Sequence, residues 1–146
     1  MPIYRYVKVI IQNNTDDMLI ASGSAILRGN WVAPVPTNEV TIEPQSTHML
    51  QAQSEHVGVG VEGYVRFGTT QGYIRLYWNR PWVGKLVCYG DVENYEGPLP
   101  FNIDADAEED EPAFPVVVFK IHRPHFLPQR AGASAPSRTD SAGQNG

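Results

Sequence analysis

Residues 57–78 read VGVGVEGYVRFGTTQGYIRLYW, and this stretch decides the fold. Apolar side chains occupy alternate positions from Val57 to Phe67, except where Gly63 intervenes, and Ile74, Leu76 and Trp78 alternate in the same way. A two-residue period places apolar side chains on one face of a β-strand. The intervening GTTQG, residues 68–72, has the composition of a hairpin loop. The stretch therefore predicts two antiparallel strands that share one apolar face.

Similar signals continue on both sides of this hairpin. Further strands are predicted at Val7–Ile11, Met18–Leu27, Glu39–Glu43, His48–Ala52, Leu86–Tyr89 and Val116–Ile121. The cluster NNTDD, residues 13–17, predicts a turn, since Asn and Asp side chains bond their own backbone. No segment shows a sustained helical period, and twelve prolines would interrupt most helices. The sequence thus predicts an all-β fold, an antiparallel β-sandwich of about seven to nine short strands.

The chain divides into one domain and a tail. Residues 1–122 contain the strand patterns, and the 146-residue length suits one domain. Residues 123–146 have few apolar side chains, and the last sixteen are mostly Ala, Gly, Ser, Pro and Gln. Such a composition cannot bury enough surface to fold. We therefore expect residues 123–146 to be a disordered tail.

Charge and composition exclude several classes of function. The net charge is −5, but residues 1–103 contain seven basic and nine acidic groups, and no continuous basic stripe occurs. Nucleic-acid binding is therefore not expected. No apolar run reaches the ~20 residues of a spanning helix, and the N-terminus does not resemble a signal peptide. We expect a soluble protein, cytoplasmic or released without a signal peptide, that acts at the surface of a target membrane. Cys88, the only cysteine, should be a buried thiol without an internal disulfide.

The sequence shows no apparatus for catalysis. Residues 58–63 fit the letters of the dinucleotide fingerprint, but a strand pattern follows where the fingerprint needs a helix. The acidic residues 104–111 lack the glycine of an EF-hand loop, so we predict a solvated, self-repelling loop. Pro124 separates His122 from His125 and disfavours a helical metal site. We expect no catalytic residue, no cofactor and no metal, and hence no enzyme.

The informative cluster is YWNRPWVGK, residues 77–85, which contains three aromatic side chains and two cations. Amphipathic rings beside Lys or Arg suit the interfacial zone of a bilayer. We expect Trp82 to be exposed. Trp78 is equally compatible with the core and with the loop surface. The cluster therefore predicts a lipid-binding loop.

This cluster resembles the aegerolysin family, which has Trp-Asp-Cys-Pro-Trp-Gly-Ser-Lys at the corresponding place. Trp78, Pro81, Trp82 and Lys85 match, whereas Asn79 and Arg80 replace the aspartate and the cysteine. Weaker similarities follow in order along residues 4–121: Tyr6–Asn13 resembles the first strand, Gly29–Trp31 resembles Gly-Lys-Trp, Asn38–Val40 resembles a short acidic strand entry, and Gly60–Tyr64 resembles Gly-Thr-x-Gly.

The resemblance implies a β-sandwich that recognises membrane sphingolipids, together with sterol, and that cooperates with a larger perforin-like pore-forming partner. It implies that Tyr6, Trp31 and Trp82 enter the interface, with Trp78 behind them. Lys85 would meet the lipid phosphate, and Glu62 would replace a family carboxylate. Two alternatives stay open from the residues: a glycan-binding or protein-binding sandwich that uses the same aromatic side chains, and a hydrolase that uses the acidic run and a histidine.

Overall fold

The computed structural model describes residues 2–94, 101–108 and 113–123. The predicted tail, apart from Arg123, and the end of the acidic run therefore lie outside the described residues. The described part contains ten β-strands: β1 (Arg5–Asn14), β2 (Leu19–Arg28), β3 (Asn30–Val32), β4 (Thr41–Ile42), β5 (Ser46–Ser54), β6 (Val61–Gly68), β7 (Gly72–Arg80), β8 (Val87–Asn94), β9 (Asn102–Glu108) and β10 (Val116–His122).

The strands form two five-stranded sheets that pack face to face. The first sheet has the order β3-β5-β1-β10-β9, and the second has the order β4-β2-β6-β7-β8. The all-β sandwich predicted from the alternation is confirmed. One pairing differs from the antiparallel prediction, because β1 and β10 run parallel, with Val9 opposite Val117. These two strands lie side by side in the middle of the first sheet, where each has an antiparallel neighbour on its other side.

The hairpin that decides the fold is β6 and β7, which pair from Val61 opposite Arg80 to Gly68 opposite Tyr73. Its apolar face is fully buried at Val65, Phe67, Ile74, Leu76 and Trp78. The side chains of the first sheet that close the other side of the core are Val7, Val9, Ile11, Leu50, Ala52, Val117, Phe119 and Ile121. The burial of both apolar faces explains why the two sheets pack together.

Two predictions about local structure are wrong. Val57 and Val59 do not extend the hairpin: β6 begins at Val61, and Val57 is 69% exposed. The acidic run is not a loop from its start, because Asp104–Glu108 belong to β9. The acidic residues alternate there with Ala105 and Ala107, so the carboxylates face solvent and the small apolar side chains face inward. Because every second residue is small and apolar, this segment forms a strand despite the charge density that predicted a loop.

Within the described ranges, no helix is long and apolar enough to cross a membrane.

Candidate functional site

One end of the sandwich, called here the loop end, gathers the start of β1, the end of β5, the start of β6 and the end of β7. The strand registers establish this, because Arg5 lies opposite Ser54 and Val61 lies opposite Arg80. The connecting segments 55–60 and 81–86 cover this end. All six residues of the predicted lipid site lie on strands or segments that meet here.

Glycines allow the covering segments to lie close to the strands. A Cβ at Gly60 would lie 2.3 Å from the carbonyl oxygen of Arg80, and one at Gly29 would lie 2.6 Å from that of Gln53. Gly29 also has a φ of 91°, which favours glycine. The similarity to a Gly-Thr-x-Gly loop around Gly60 therefore coincides with a close approach of two backbones, and the dinucleotide fingerprint has no helix behind it.

Trp82 is half-buried rather than exposed. The guanidinium carbon of Arg5 lies 4.0 Å from the centre of the Trp82 ring, and the Tyr4 ring meets it edge-on at 6.1 Å. Arg5 Nη2 also donates a hydrogen bond to the Trp82 carbonyl oxygen at 3.1 Å. A cation over the face of an indole is attracted by the ring quadrupole, which fixes the ring's position. One face of the indole therefore contacts Arg5, and part of the ring remains accessible.

Trp78, in contrast, belongs to the core. Its side chain is fully buried, and the partly buried Trp31 meets it edge-on with ring centres 5.7 Å apart. Of the two positions that the sequence allowed for Trp78, the core and the loop surface, the structure shows the core. Neither Trp31 nor Trp78 is freely exposed, so Trp78 supports the loop end from inside.

Of the remaining predicted residues, Tyr6 lies on the outer face of the first sheet, because it alternates with the buried Val7 on β1, and Lys85 lies in segment 81–86. The Tyr6 hydroxyl donates to Gln51 Oε1, and its ring lies 6.5 Å from that of Phe114. Burial raises the pKa of Tyr6 above its ordinary value. Lys85 is exposed, and no other described residue forms an ion pair or hydrogen bond with its ammonium group. Lys85 is therefore available to an external anion.

Glu62 is committed to contacts within the protein. It accepts a hydrogen bond from the Tyr77 hydroxyl, and its Oε1 lies 3.5 Å from Arg28 Nε. Burial, followed by the hydrogen bond and the charge of Glu62, raises the pKa of Tyr77 to about 12. A carboxylate with two internal partners holds the outer face of the second sheet together and has less capacity for a ligand.

Sequence reasoning missed the apolar tips of the covering segments. Val83 is 83% exposed and Val57 is 69% exposed, and they lie on the two segments that cover the loop end. Single exposed apolar residues are common on surfaces. Two exposed valines at the same end of the sandwich as a half-buried tryptophan and a lysine without a partner among the described residues suit a bilayer interface. The signal in the sequence was an apolar residue beside glycine, at Val57-Gly58 and Val83-Gly84.

A second concave surface lies on the outer face of the second sheet. It is a cavity of about 490 Å³ lined by Tyr64, Arg66, Tyr73, Arg75, Asp91, Val92 and Glu93. Arg66 stacks over the Tyr73 ring at 3.5 Å and pairs with Glu93 at 3.3 Å. Ring faces and charged groups in one groove are features of polar ligand sites.

The sequence also raised questions about a metal site, Cys88 and the histidines, and the described residues bear on each of them. Among them, no group of three or more His, Cys, Asp or Glu residues is placed to hold a metal ion. Cys88 lies on the inner side of β8 and is half-buried rather than buried. His122 pairs with Asp104 at 2.9 Å, across the β9–β10 ladder.

Comparisons with known proteins show which fold the chain shares but do not show its family. No protein-family model matches the chain, and no curated protein matches it. Among solved structures, the chain is similar to one described as the crystal structure of the lipid binding protein Nakanori, with a TM-score of 0.73 and 16% sequence identity. The match covers 84% of this chain and 73% of that one. At this identity the likeness establishes a shared fold.

Proposed function

We propose that this protein binds membrane lipid through the loop end and that it acts by binding rather than by catalysis. The observation that carries the proposal is that one end of the sandwich has the exposed Val57 and Val83, Trp82, and Lys85, which no described residue pairs with. The shared fold with a protein described as lipid-binding supports it.

The physical roles of these residues differ. Val57, Val83 and the accessible part of Trp82 present apolar area, which gains about 25 cal/mol per Å² when it leaves water. Lys85 presents a compact ammonium beside that area, suited to a lipid phosphate. Tyr6, on the outer face of the first sheet, and Trp31, which packs against the buried Trp78, lie on strands that reach this end. The apolar contribution is non-directional, and the charge supplies preference for phosphate-bearing headgroups.

The finer proposal concerns the lipid and the partner. The resemblance to aegerolysins at Trp78, Pro81, Trp82 and Lys85 favours a sphingolipid in a membrane that also contains sterol. It also favours cooperation with a separate perforin-like protein. The chain alone should then bind vesicles without releasing an enclosed dye, and release should require the added partner.

The experiment is a vesicle-binding assay across sphingolipid and sterol contents, with two matched variants. Val83→Asp places a charge at the loop end and should reduce binding at least tenfold, since an inserted carboxylate is costly near hydrocarbon. Met18→Asp makes the same kind of change at a 45% exposed apolar residue at the other end of the sandwich, and it should bind like the parent. Equal binding by the parent and the Val83 variant would contradict the proposal.

A glycan-binding function is the second candidate, favoured by the Tyr and Arg groove on the outer face of the second sheet. Binding to immobilised glycans without vesicle binding, abolished by Tyr64→Ala, would select it.

A further inference from the structure

Buried polar atoms without a hydrogen-bond partner are concentrated at the loop end. In the part of the chain that the structure describes they are Arg5 Nε, Trp78 Nε1, Asn79 Oδ1 and Arg80 Nε. Three of these four atoms are N–H donors. Buried donors normally have acceptors, so unmatched donors near one end of the sandwich point to an acceptor that the described residues do not supply.

Two of the donors belong to guanidinium groups on opposite sheets. Arg80 follows the inward alternation of β7, with Ile74, Leu76 and Trp78, and is only 8% exposed. Arg5 has the inward parity of Val7 and Val9 on β1. Both therefore lie at the mouth between the two sheets, beneath segment 81–86.

The two arginines are bonded to carbonyl oxygens of this segment and to no carboxylate. Arg80 Nη1 donates to the Gly84 carbonyl oxygen at 2.9 Å, and Arg5 Nη2 donates to that of Trp82 at 3.1 Å. Neither forms a salt bridge with any described residue. A buried cation without a counter-charge is unfavourable, and an external anion would compensate it.

The number of unused N–H donors on the two guanidinium groups indicates the chemistry of that anion. A guanidinium has five N–H groups, and the described contacts use one from Arg80 and two from Arg5. The Nε–H of each has no acceptor among the described residues, and an Nε–H can take part in a bidentate contact with an oxyanion. The two guanidinium groups come from opposite sheets, and the Trp78 indole N–H lies two residues before Arg80. Donors from several directions suit a tetrahedral phosphate, which has several oxygens, better than a planar carboxylate.

We propose that Arg80 and Arg5 form an anion site beneath segment 81–86 that takes the phosphate of a phospholipid headgroup. The inference rests on the proposed membrane function, because Trp82 and Val83 in the same segment supply the apolar border that makes lipid the source of the phosphate. It distinguishes Arg80, at the position where the aegerolysin motif has cysteine, from the exposed Lys85. Lys85 attracts phosphate from the solvent-exposed surface, where salt screens its charge, whereas the buried Arg80 binds phosphate where salt screens it less.

The first experiment measures thermal unfolding of the full chain with inorganic phosphate against chloride at constant ionic strength. A ligand that binds the folded state raises Tm, and we expect a rise of about 3 °C or more for the parent at saturating phosphate. Arg80→Met should lose the rise. Arg123→Met removes an exposed arginine that pairs with Asp17 at the opposite end of the sandwich, and it should retain the rise. A full rise in the Arg80 variant, or its loss only in the Arg123 variant, would overturn the site.

The second experiment identifies the source of the phosphate by comparing vesicles of sphingomyelin, phosphatidylcholine and cholesterol with phosphate-free galactolipid vesicles. Arg80→Met should bind phospholipid vesicles at least tenfold more weakly than the parent at both low and high salt, and galactolipid vesicles equally. If Arg80→Met does not fold, Arg80→Lys keeps the charge without the fork and should show the same phospholipid defect.

The outcomes separate this site from the proposed function. Parent protein that binds no vesicle refutes membrane binding, and an Arg80-dependent phosphate response would then assign the site to a free anion, overturning the lipid source. Vesicle binding that is unchanged in Arg80→Met keeps the membrane function and refutes the phosphate site.

Discussion

The two ends of the sandwich bury polar groups in opposite ways. At the far end, formed by residues 13–17 and 42–45, the fully buried Asn13 donates through Nδ2 to the carbonyl oxygens of Asp17, Ile42 and Glu43. Its Oδ1 accepts from the backbone and the hydroxyl of Thr15. At the loop end, Arg5, Trp78 and Arg80 bury donors for which the described part of the chain supplies no acceptor.

Under the proposed function, this difference separates an end that stabilises the fold from an end that binds a ligand. A saturated network has no remaining capacity for a ligand and joins the turn after β1 to the segment after β4, so its role is stability. Within the described residues, the loop end keeps donors without acceptors, an unpaired lysine and exposed valines, which lower stability and which the proposed ligand would cover. Sites that bind are often the places where local rules of folding are broken.

The largest expected effect is on stability at the far end. Asn13→Ala leaves several backbone carbonyls and the Thr15 hydroxyl without their partner, so we expect a loss of about 3 kcal/mol in the free energy of unfolding. Urea titration measures it, and the exposed Asn14→Ala should change stability little. Vesicle binding of the folded Asn13 variant should match the parent; a selective binding defect would break the division between the two ends.

The next effect is on binding at the loop end. Trp82→Ala removes apolar area and the stacking partner of Arg5, so vesicle binding should fall about tenfold, equivalent to ~1.4 kcal/mol. The defect should persist at every ionic strength, because apolar transfer is not screened by salt. Sedimentation with vesicles at low and high salt measures this. A loss of several kcal/mol in stability without a binding defect would instead assign Trp82 to the core.

A smaller effect is expected for the exposed cation. Lys85→Ala should weaken binding to phosphate-bearing vesicles by about threefold at low salt, because an exposed charge contributes below ~1 kcal/mol. The defect should disappear as ionic strength rises. The same salt series as for Trp82 measures it, and a salt-independent defect would place Lys85 in a desolvated contact.

The smallest effect concerns alkaline pH and Tyr77. Its pKa is raised from 10.0 to about 12 in the folded protein, chiefly by burial and then by Glu62. The unfolded chain therefore loses this proton first, and the stability that Tyr77 contributes is present below pH 10 and is lost as pH rises towards 12. Tyr77→Phe should show a flatter decline of Tm across this interval; an identical decline would show that other groups dominate.

Much of the fold followed from local pattern. Alternation from Val57 to Trp78 predicted the central hairpin, although β6 begins only at Val61, and Val7–Ile11 and Val116–Ile121 predicted the two middle strands of the first sheet. The pattern could not predict that β1 and β10 pair in parallel, because strand neighbours across the length of the chain depend on how both sheets close. It misread the acidic run because carboxylates on one face of β9 are solvated, and charge density alone does not distinguish a loop from an edge strand.

The candidate site was predicted in its composition but not in its arrangement. The cluster at residues 77–85 indicated an aromatic and basic surface, yet the environments of its two tryptophans differ by position. Trp78 has the inward parity of β7 and is buried, whereas Trp82 lies in the next segment and stacks on Arg5, from a strand 77 residues earlier in the chain. No spacing rule predicts that contact.

The sequence by itself determined the strand content, the two-faced character of each strand and the kinds of side chain near residue 80. These are local properties, since a period of two and turn residues act within a few positions. Only the tertiary structure decided which of those side chains meet. The packing of two sheets brings Arg5 and Arg80 to one mouth, where no carboxylate of the described residues pairs with them, and it saturates Asn13 at the other end, because partners for buried polar groups come from segments distant in the chain.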